Sequence, residues 1–347
     1  MDISEGMVGI ARSAGHRQPV AAATLALMDD AAIKSPLSSE PFLVRGVEAS
    51  LSGDQLTGAR AFIQAQRREP RSTPAAYFLA DYYLRAGKPH QGLRQATLLA
   101  RLSPGGVATA APYVAAYAQN PSNWREIRAL FRSDKSIQDN VLMALARDGK
   151  NAGVILAIAD RSHRSATSPW LPTLLQSLVR NGDFGRARVI WASVARVNTS
   201  PGTWLYDATF SDPAAPPPFN WQLTSSHLGI AERQPNHRLR VLYYGADDGV
   251  LASQLLLLRP GTYRLRAAVA SGGIHPEKLS WLLRCNKSSN PLSSIPLDAA
   301  AQRGWTFKVP ANCHAQWLEL WGRSEDVPQQ AEATLGGLQL KQVAEGD

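Results

Sequence analysis

Cysteine is nearly absent from this 347-residue chain: there are two, Cys285 and Cys313. Neither has a CxxC partner, and the seven histidines (16, 90, 163, 227, 237, 275 and 314) form no HxH or HxxxH pair, so the usual zinc spacings are excluded. GxSxG, P-loop and GxGxxG motifs are missing too, which leaves acyl transfer, nucleotide hydrolysis and dinucleotide binding without support, and no cofactor is expected. Nothing singles out a carboxylate pair of the kind that glycoside hydrolysis needs. Long apolar runs are also lacking. Ala21–Met28 is Ala/Leu-rich for only eight residues before Asp29-Asp30, far short of the roughly 20 that span a bilayer. Met1–Arg17 is polar and has no signal-peptide core, so the chain reads as either cytoplasmic or a trimmed form.

What is present is ordinary for a folded protein: 44% hydrophobic and 19% charged residues, enough for two or three domains with real cores. Charge is unevenly placed. Residues 1–200 hold 24 Lys+Arg against 15 Asp+Glu, and residues 201–347 hold 13 of each, so the whole net charge of +9 sits on the front half. Such a surface can draw in an anionic polymer, but the basic residues are scattered singly. Arg67-Arg68 with Arg71 is the densest cluster, too short for a nucleic-acid arm. A solvated helical surface is the favoured reading, and a nucleic-acid partner is disfavoured.

The two cysteines sit at the ends of strand-like runs with 27 residues between them. A disulfide Cys285–Cys313 is expected there, and closing that loop is worth roughly 3–4 kcal/mol in the chain-entropy model. It points to an oxidising compartment, periplasmic or secreted, against the cytoplasmic alternative left open by the bare start. Two buried free thiols are the rival reading.

Along the chain, residues 17–33 have the composition of one helix. From Pro41 a repeat begins: Gly53 answers to Gly87, Gly58 to Gly92 and Pro70 to Pro104, all at a spacing of 34. That period means two antiparallel helices per unit, with small residues where the helices cross, glycine in the turn and proline at the end. The segments 107–119, 122–132, 135–148 and 151–163 are helical by apolar spacing, with Pro112 and Pro121 marking turns. A clear unit returns at Leu174–Ala195, carrying Gly182-Asp183, Ala187 and Trp191. The stretch resembles the tetratricopeptide family at Gly46, Gly53, Gly58, Phe62, Ala65 and Pro70, and again at Ala80, Gly87, Gly92 and Pro104. The resemblance implies an α-solenoid over 17–197 whose concave face holds a partner protein.

Residues 198–220 change character. Pro213 and Pro216 to Pro218 forbid helix, while Trp204, Tyr206, Phe210, Phe219 and Trp221 are too aromatic for a free tether. An extended segment packed along the next domain is expected. After it come nine short β-branched and aromatic runs, from FNWQL at 219–223 to TLGGLQLKQV at 334–343. These are the signature of an antiparallel β-sandwich or jelly roll over 221–343. The hairpin QLLLLRPGTYRLRA, the runs SWLLRC and GWTFKVP, and the closing LGGLQLKQV resemble the carbohydrate-binding-module-like, galactose-binding-like sandwiches, over about 205–343. The expected fold class is thus multidomain α + β. The combination resembles bacterial envelope proteins linked to exopolysaccharide assembly and export.

Strand alternation assigns faces. In CHAQWLELW, Trp317, Glu319 and Trp321 share a face and Leu318 and Leu320 share the other, with the two tryptophans roughly 13 Å apart along the strand. If the leucines face the core, two indoles and a carboxylate lie outward, the equipment for gripping sugar faces. The rival reading covers that face with the connecting segment or the helices, and it is favoured because large exposed apolar patches usually mark a contact. Tyr243 and Tyr244 put one ring on each side of their strand and complete the glycan-binding candidates. Asp247-Asp248-Gly249 reads first as a turn and only weakly as a calcium site.

The leading expectation is a non-catalytic adaptor, with the solenoid on a partner protein and the sandwich on polysaccharide or the same assembly. The alternatives are a glycan-active lyase or hydrolase with the sandwich as catalytic domain, and nucleic-acid binding through the basic helices.

Overall fold

A computed structural model describes residues 20–102, 106–133, 135–198, 204–270 and 273–343. Expectations for the first 19 residues and for Pro104 fall outside them. The chain divides into two compact units. One runs up to Ala146 and includes Asn151–Asp160, and the other takes Arg147–Lys150 and everything from Arg161 onward.

The first unit is helical: α1 (Ala22–Lys34), α2 (Glu40–Leu51), α3 (Gln55–Arg68), α4 (Thr73–Arg85), α5 (Pro89–Leu102), α6 (Gly106–Tyr117), α7 (Trp124–Ser133), α8 (Lys135–Ala146) and α9 (Ala152–Ile158). The 34-residue repeat is the pair α2–α3 followed by α4–α5. Each hairpin turns on a glycine in the left-handed region, Gly53 at φ +84° and Gly87 at φ +67°, where a side chain would be strained. Asp54 then caps α3 by accepting from Thr57 N at 3.0 Å. Close crossing explains the small residues. A Cβ on Gly46 would lie 2.5 Å from the Phe62 ring, and the matching pair one repeat later is Ala80 and Ala96, both fully buried. Phe62 stacks on Phe78 with centroids 4.5 Å apart, joining one hairpin to the next.

Pro112 corrects an expectation, because it lies inside α6 rather than at a turn. Its missing amide costs one helical hydrogen bond, and the buried Ala110, Ala111, Val114 and Ala118 on either side hold the helix together through it. Pro121 does open a turn, a short 3-10 segment capped by Asn120.

The second unit begins with a helix hairpin, α10 (Trp170–Arg180) and α11 (Phe184–Ala195), turned by Gly182 at φ +82°. The helices thus reach Ala195, while this hairpin clusters with the strands that follow. The reason is visible at Trp191. Its ring is fully buried 4.9 Å from Tyr206 and 5.6 Å from Phe219, and its Nε1 donates to Pro216 O at 2.8 Å.

Eleven strands follow among the described residues: β1 (Gln222–Leu223), β2 (Ser225–Ser226), β3 (Gly229–Gln234), β4 (Arg238–Tyr243), β5 (Gly249–Leu256), β6 (Gly261–Val269), β7 (Leu279–Cys285), β8 (Pro291–Pro296), β9 (Trp305–Val309), β10 (Gln316–Gly322) and β11 (Ala331–Val343). They form two antiparallel sheets, ordered β1-β5-β10-β7-β8 and β2-β3-β4-β11-β6-β9. A short helix, α12 (Leu297–Arg303), links β8 to β9. The fold class is therefore a helical array plus a two-sheet sandwich. Inward positions of both sheets, such as Leu251, Trp281, Leu283, Leu318, Leu320, Tyr263 and Leu335, make one apolar core. Cys285 and Cys313 are joined by a disulfide across 28 positions of sequence.

Residues 204–220 pack along this sandwich. Phe210, Phe219 and Trp221 are buried, and Trp204 meets Tyr263 edge-on. Their polar atoms are satisfied locally. Gln254, fully buried, accepts from Tyr206 N at 3.1 Å and donates to Tyr206 O at 2.9 Å, standing in for a strand ladder. Asn220 Nδ2 donates to Asp212 O and to Ala215 O, both at 2.8 Å.

Candidate binding surfaces

β10 is the middle strand of the five-stranded sheet, between β5 and β7, so its two faces have opposite fates. Leu318 and Leu320 enter the core, and Trp317, Glu319 and Trp321 turn outward, as alternation requires. Outward is not fully exposed here. Both indoles are half-buried, and Glu319 is 3% exposed.

The outward groups form a bonded row. Arg284 on β7 reaches Glu319 with Nη2 2.5 Å from Oε1 and Nε 3.3 Å from Oε2. Trp321 Nε1 donates to the same Oε2 at 3.0 Å. Arg284 is steadied by donating Nη1 to Ser288 O at 2.9 Å. Trp317, whose register partner across the ladder is Arg284, donates Nε1 to Asn286 Oδ1 at 3.1 Å. Both indole N–H groups are thus used, which fixes the ring planes. Glu319 has both oxygens occupied by donors, so it acts as the anchor of the row.

Trp317 also lines a cleft of about 480 Å³. One wall is α10, through Pro172, Thr173 and Gln176, and the other is Pro217-Pro218 with Gln222 of β1. The cleft is open and mainly apolar, with the side chains of Thr173, Gln176 and Gln222 as its polar groups.

Tyr243 leaves the candidate set. It is fully buried on the inner side of β4, with its hydroxyl donating to Asp247 O at 3.0 Å, because the alternation there points Tyr243 and Val241 inward together. Burial, and the nearby Asp248 and Asp247 carboxylates, push its hydroxyl above the ordinary phenol value. Tyr244, half-buried, lies outside the Trp317 row. Asp248 is engaged by Ser324, whose N and Oγ donate to Oδ1 at 2.6 and 2.8 Å. Asp247 is largely exposed with His227 4.0 Å away. Among the described residues no group of three or more His, Cys, Asp or Glu is placed to hold a metal. Sequence reasoning missed Arg284, Asn286 and the cleft walls. Only the ladder register, which the sequence does not state, brings them to Trp317 and Glu319.

The helical unit has its own concavity, a groove of about 880 Å³ between α4 and α6. Asp81, Arg85, Tyr113, Tyr117, Asn120 and Asn123 line it. Arg85 Nε and Asp81 Oδ1 pair at 2.8 Å one helical turn apart. Tyr113 donates its hydroxyl to Tyr77 at 2.9 Å, and burial with that bond raises its pKa. Tyr117 donates to Glu126 Oε2 at 3.0 Å, and burial together with that carboxylate pushes it up to about 12. The tyrosines therefore stay neutral donors at physiological pH.

No family model and no curated protein matches the chain. Among solved structures, one similar chain is in the crystal structure of the APC/C hetero-tetramer Cut9-Hcn1, at 16% identity over 50% of this chain and 36% of that one, with a TM-score of 0.23. This chain thus spans about a third of that protein. Another is TmCBM61 in complex with beta-1,4-galactotriose, at 13% identity over 42% of this chain and 99% of that one, with a TM-score of 0.23.

Proposed function

We propose that this protein is a non-catalytic adaptor whose sandwich contacts a polysaccharide and whose helical unit holds a partner protein. The observation that carries it is the Trp317 cleft. Its indole is locked by Asn286, half-open, and set beside a concavity of about 480 Å³ whose walls mix proline with amide and hydroxyl groups. A held aromatic face with polar neighbours suits the apolar side of a sugar ring. The groove lined by Tyr113, Tyr117 and Asn120 is the site offered to the protein partner. The disulfide supports an oxidising compartment, and we place the work at the cell envelope, in exopolysaccharide assembly or export.

Affinity electrophoresis of the full chain through gels cast with neutral polysaccharides tests the reading. Retarded migration is expected, and Trp317→Ala abolishes it while leaving the circular dichroism unchanged. Migration unaffected by every polysaccharide would return Trp317 to a packing role. Depolymerisation of the embedded polysaccharide by pure protein would overturn the non-catalytic part.

A further inference from the structure

The other sheet carries a second kind of surface. On the outward side of β6, Arg264 and Arg266 alternate with the core residues Tyr263, Leu265 and Ala267. Arg264 lies opposite Lys341 of β11, and Arg266 opposite Gln339. Like charges directly across a ladder repel, so this placement costs stability unless something anionic sits between them. Arg303, at the end of α12, adds a third guanidinium to the rim of one concavity of about 500 Å³, whose other polar side chains are Gln302 and Gln339.

Among the described residues, Arg264, Arg266, Arg303 and Lys341 take part in no salt bridge, and no acidic residue lines the hollow. Elsewhere on the same sheet the pattern differs: Arg240 on β4 pairs with Glu332 at 2.7 Å and Glu232 at 3.5 Å. Arg264 is also held in place, since its Nη2 donates to Arg303 O at 2.8 Å. Its Nε is closed to water and has no acceptor. The donors open to an anion are the outer N–H groups of Arg264 and the exposed guanidinium groups of Arg266 and Arg303.

We propose that this hollow binds the carboxylate of an acidic sugar, a uronate unit of a polysaccharide. The proposal rests on the sandwich being a glycan-contacting module and assigns acid-sugar recognition to the sheet opposite Trp317. Planar guanidinium groups match a carboxylate in two-pronged fashion, and the amides of Gln302 and Gln339 suit ring hydroxyls. Nucleic acid fits less well. The hollow contains no aromatic ring for base stacking, and residues 201–347 carry no net charge to attract a phosphate polymer at large.

The test is titration calorimetry of the full chain with a galacturonate oligosaccharide, its carboxyl-reduced neutral counterpart, and an oligonucleotide of equal charge. The uronate should bind, and reduction of the carboxyls should weaken it about tenfold or more. The exposed substitutions Arg266→Gln and Arg303→Gln should each do the same, while Trp317→Ala leaves uronate binding intact. Uronate binding indifferent to both arginine variants, or an oligonucleotide bound as tightly, would overturn the assignment. Neutral glycan bound at Trp317 with no uronate bound would overturn it too and leave the adaptor reading standing. No glycan of any kind bound would sink both.

Discussion

Arg284 and Glu319 are joined across neighbouring strands, Nη2 to Oε1 at 2.5 Å, with the carboxylate almost closed to water and also bonded by Trp321. Removing one member leaves the other partly buried without its counter-charge. Glu319→Leu should cost about 2–3 kcal/mol, somewhat less than a fully buried pair because the Arg284 side chain keeps 27% exposure. Combining Glu319→Leu with Arg284→Met should recover most of that loss. Urea unfolding of the four proteins in a cycle measures it, and a double variant no better than the single would show that the pair does not act as a unit.

The repeat glycines divide by cause. Gly46 is small because the Phe62 ring is 2.5 Å from where a Cβ would be, whereas Gly53 has open space around it and is glycine for its φ of +84°. Gly46→Val should therefore cost about 2–3 kcal/mol through overpacking, and Gly53→Ala about 1 kcal/mol through backbone strain. Thermal unfolding of both variants checks the order.

Reducing the Cys285–Cys313 bond should lower stability by roughly 3–4 kcal/mol, as expected for a loop of this length. Matching denaturation curves with and without reductant would show that the loop is held by packing alone.

Tyr206 donates its hydroxyl to Asp212. Burial and that bond raise the tyrosine pKa; for Asp212, burial works upward, but the Tyr206 bond and backbone amides lower it on balance. The signs give a window. The Tyr206 contribution is whole below the ordinary phenol value and is lost as pH rises through the raised one. The Asp212 contribution is whole above the ordinary carboxylate value and is lost as pH falls through the lowered one. The stability gap between wild type and Tyr206→Phe should thus be widest at neutral pH and shrink at both ends. A gap constant from acid to alkaline pH would contradict the pairing.

Much of the architecture was legible because it rests on local rules. Turn glycines at 53, 87 and 182, the 34-residue period and two-residue alternation in β10 are written directly in the chain. β8 escaped notice because it begins and ends in proline and carries two serines, tolerable only for an edge strand, which it is. α12 is seven residues in a β region, too short for a periodic signal. For the surfaces, alternation correctly turned Trp317, Glu319 and Trp321 outward. It could not supply Arg284 or Asn286, which meet them only through the β7–β10 register, nor the cleft walls from α10 and Pro217. Tyr243 was a two-way choice that the burial of β4 decided.

In the proposed function the sandwich meets polysaccharide through its tryptophan face. Oxidative footprinting of the full chain, read by mass spectrometry at each tryptophan, tests it most directly. With a retained polysaccharide present, Trp317 should lose reactivity most strongly and Trp321 follow, while the likewise half-buried Trp124 and Trp204 stay unchanged. Polysaccharide bound with Trp317 as reactive as before would contradict the account.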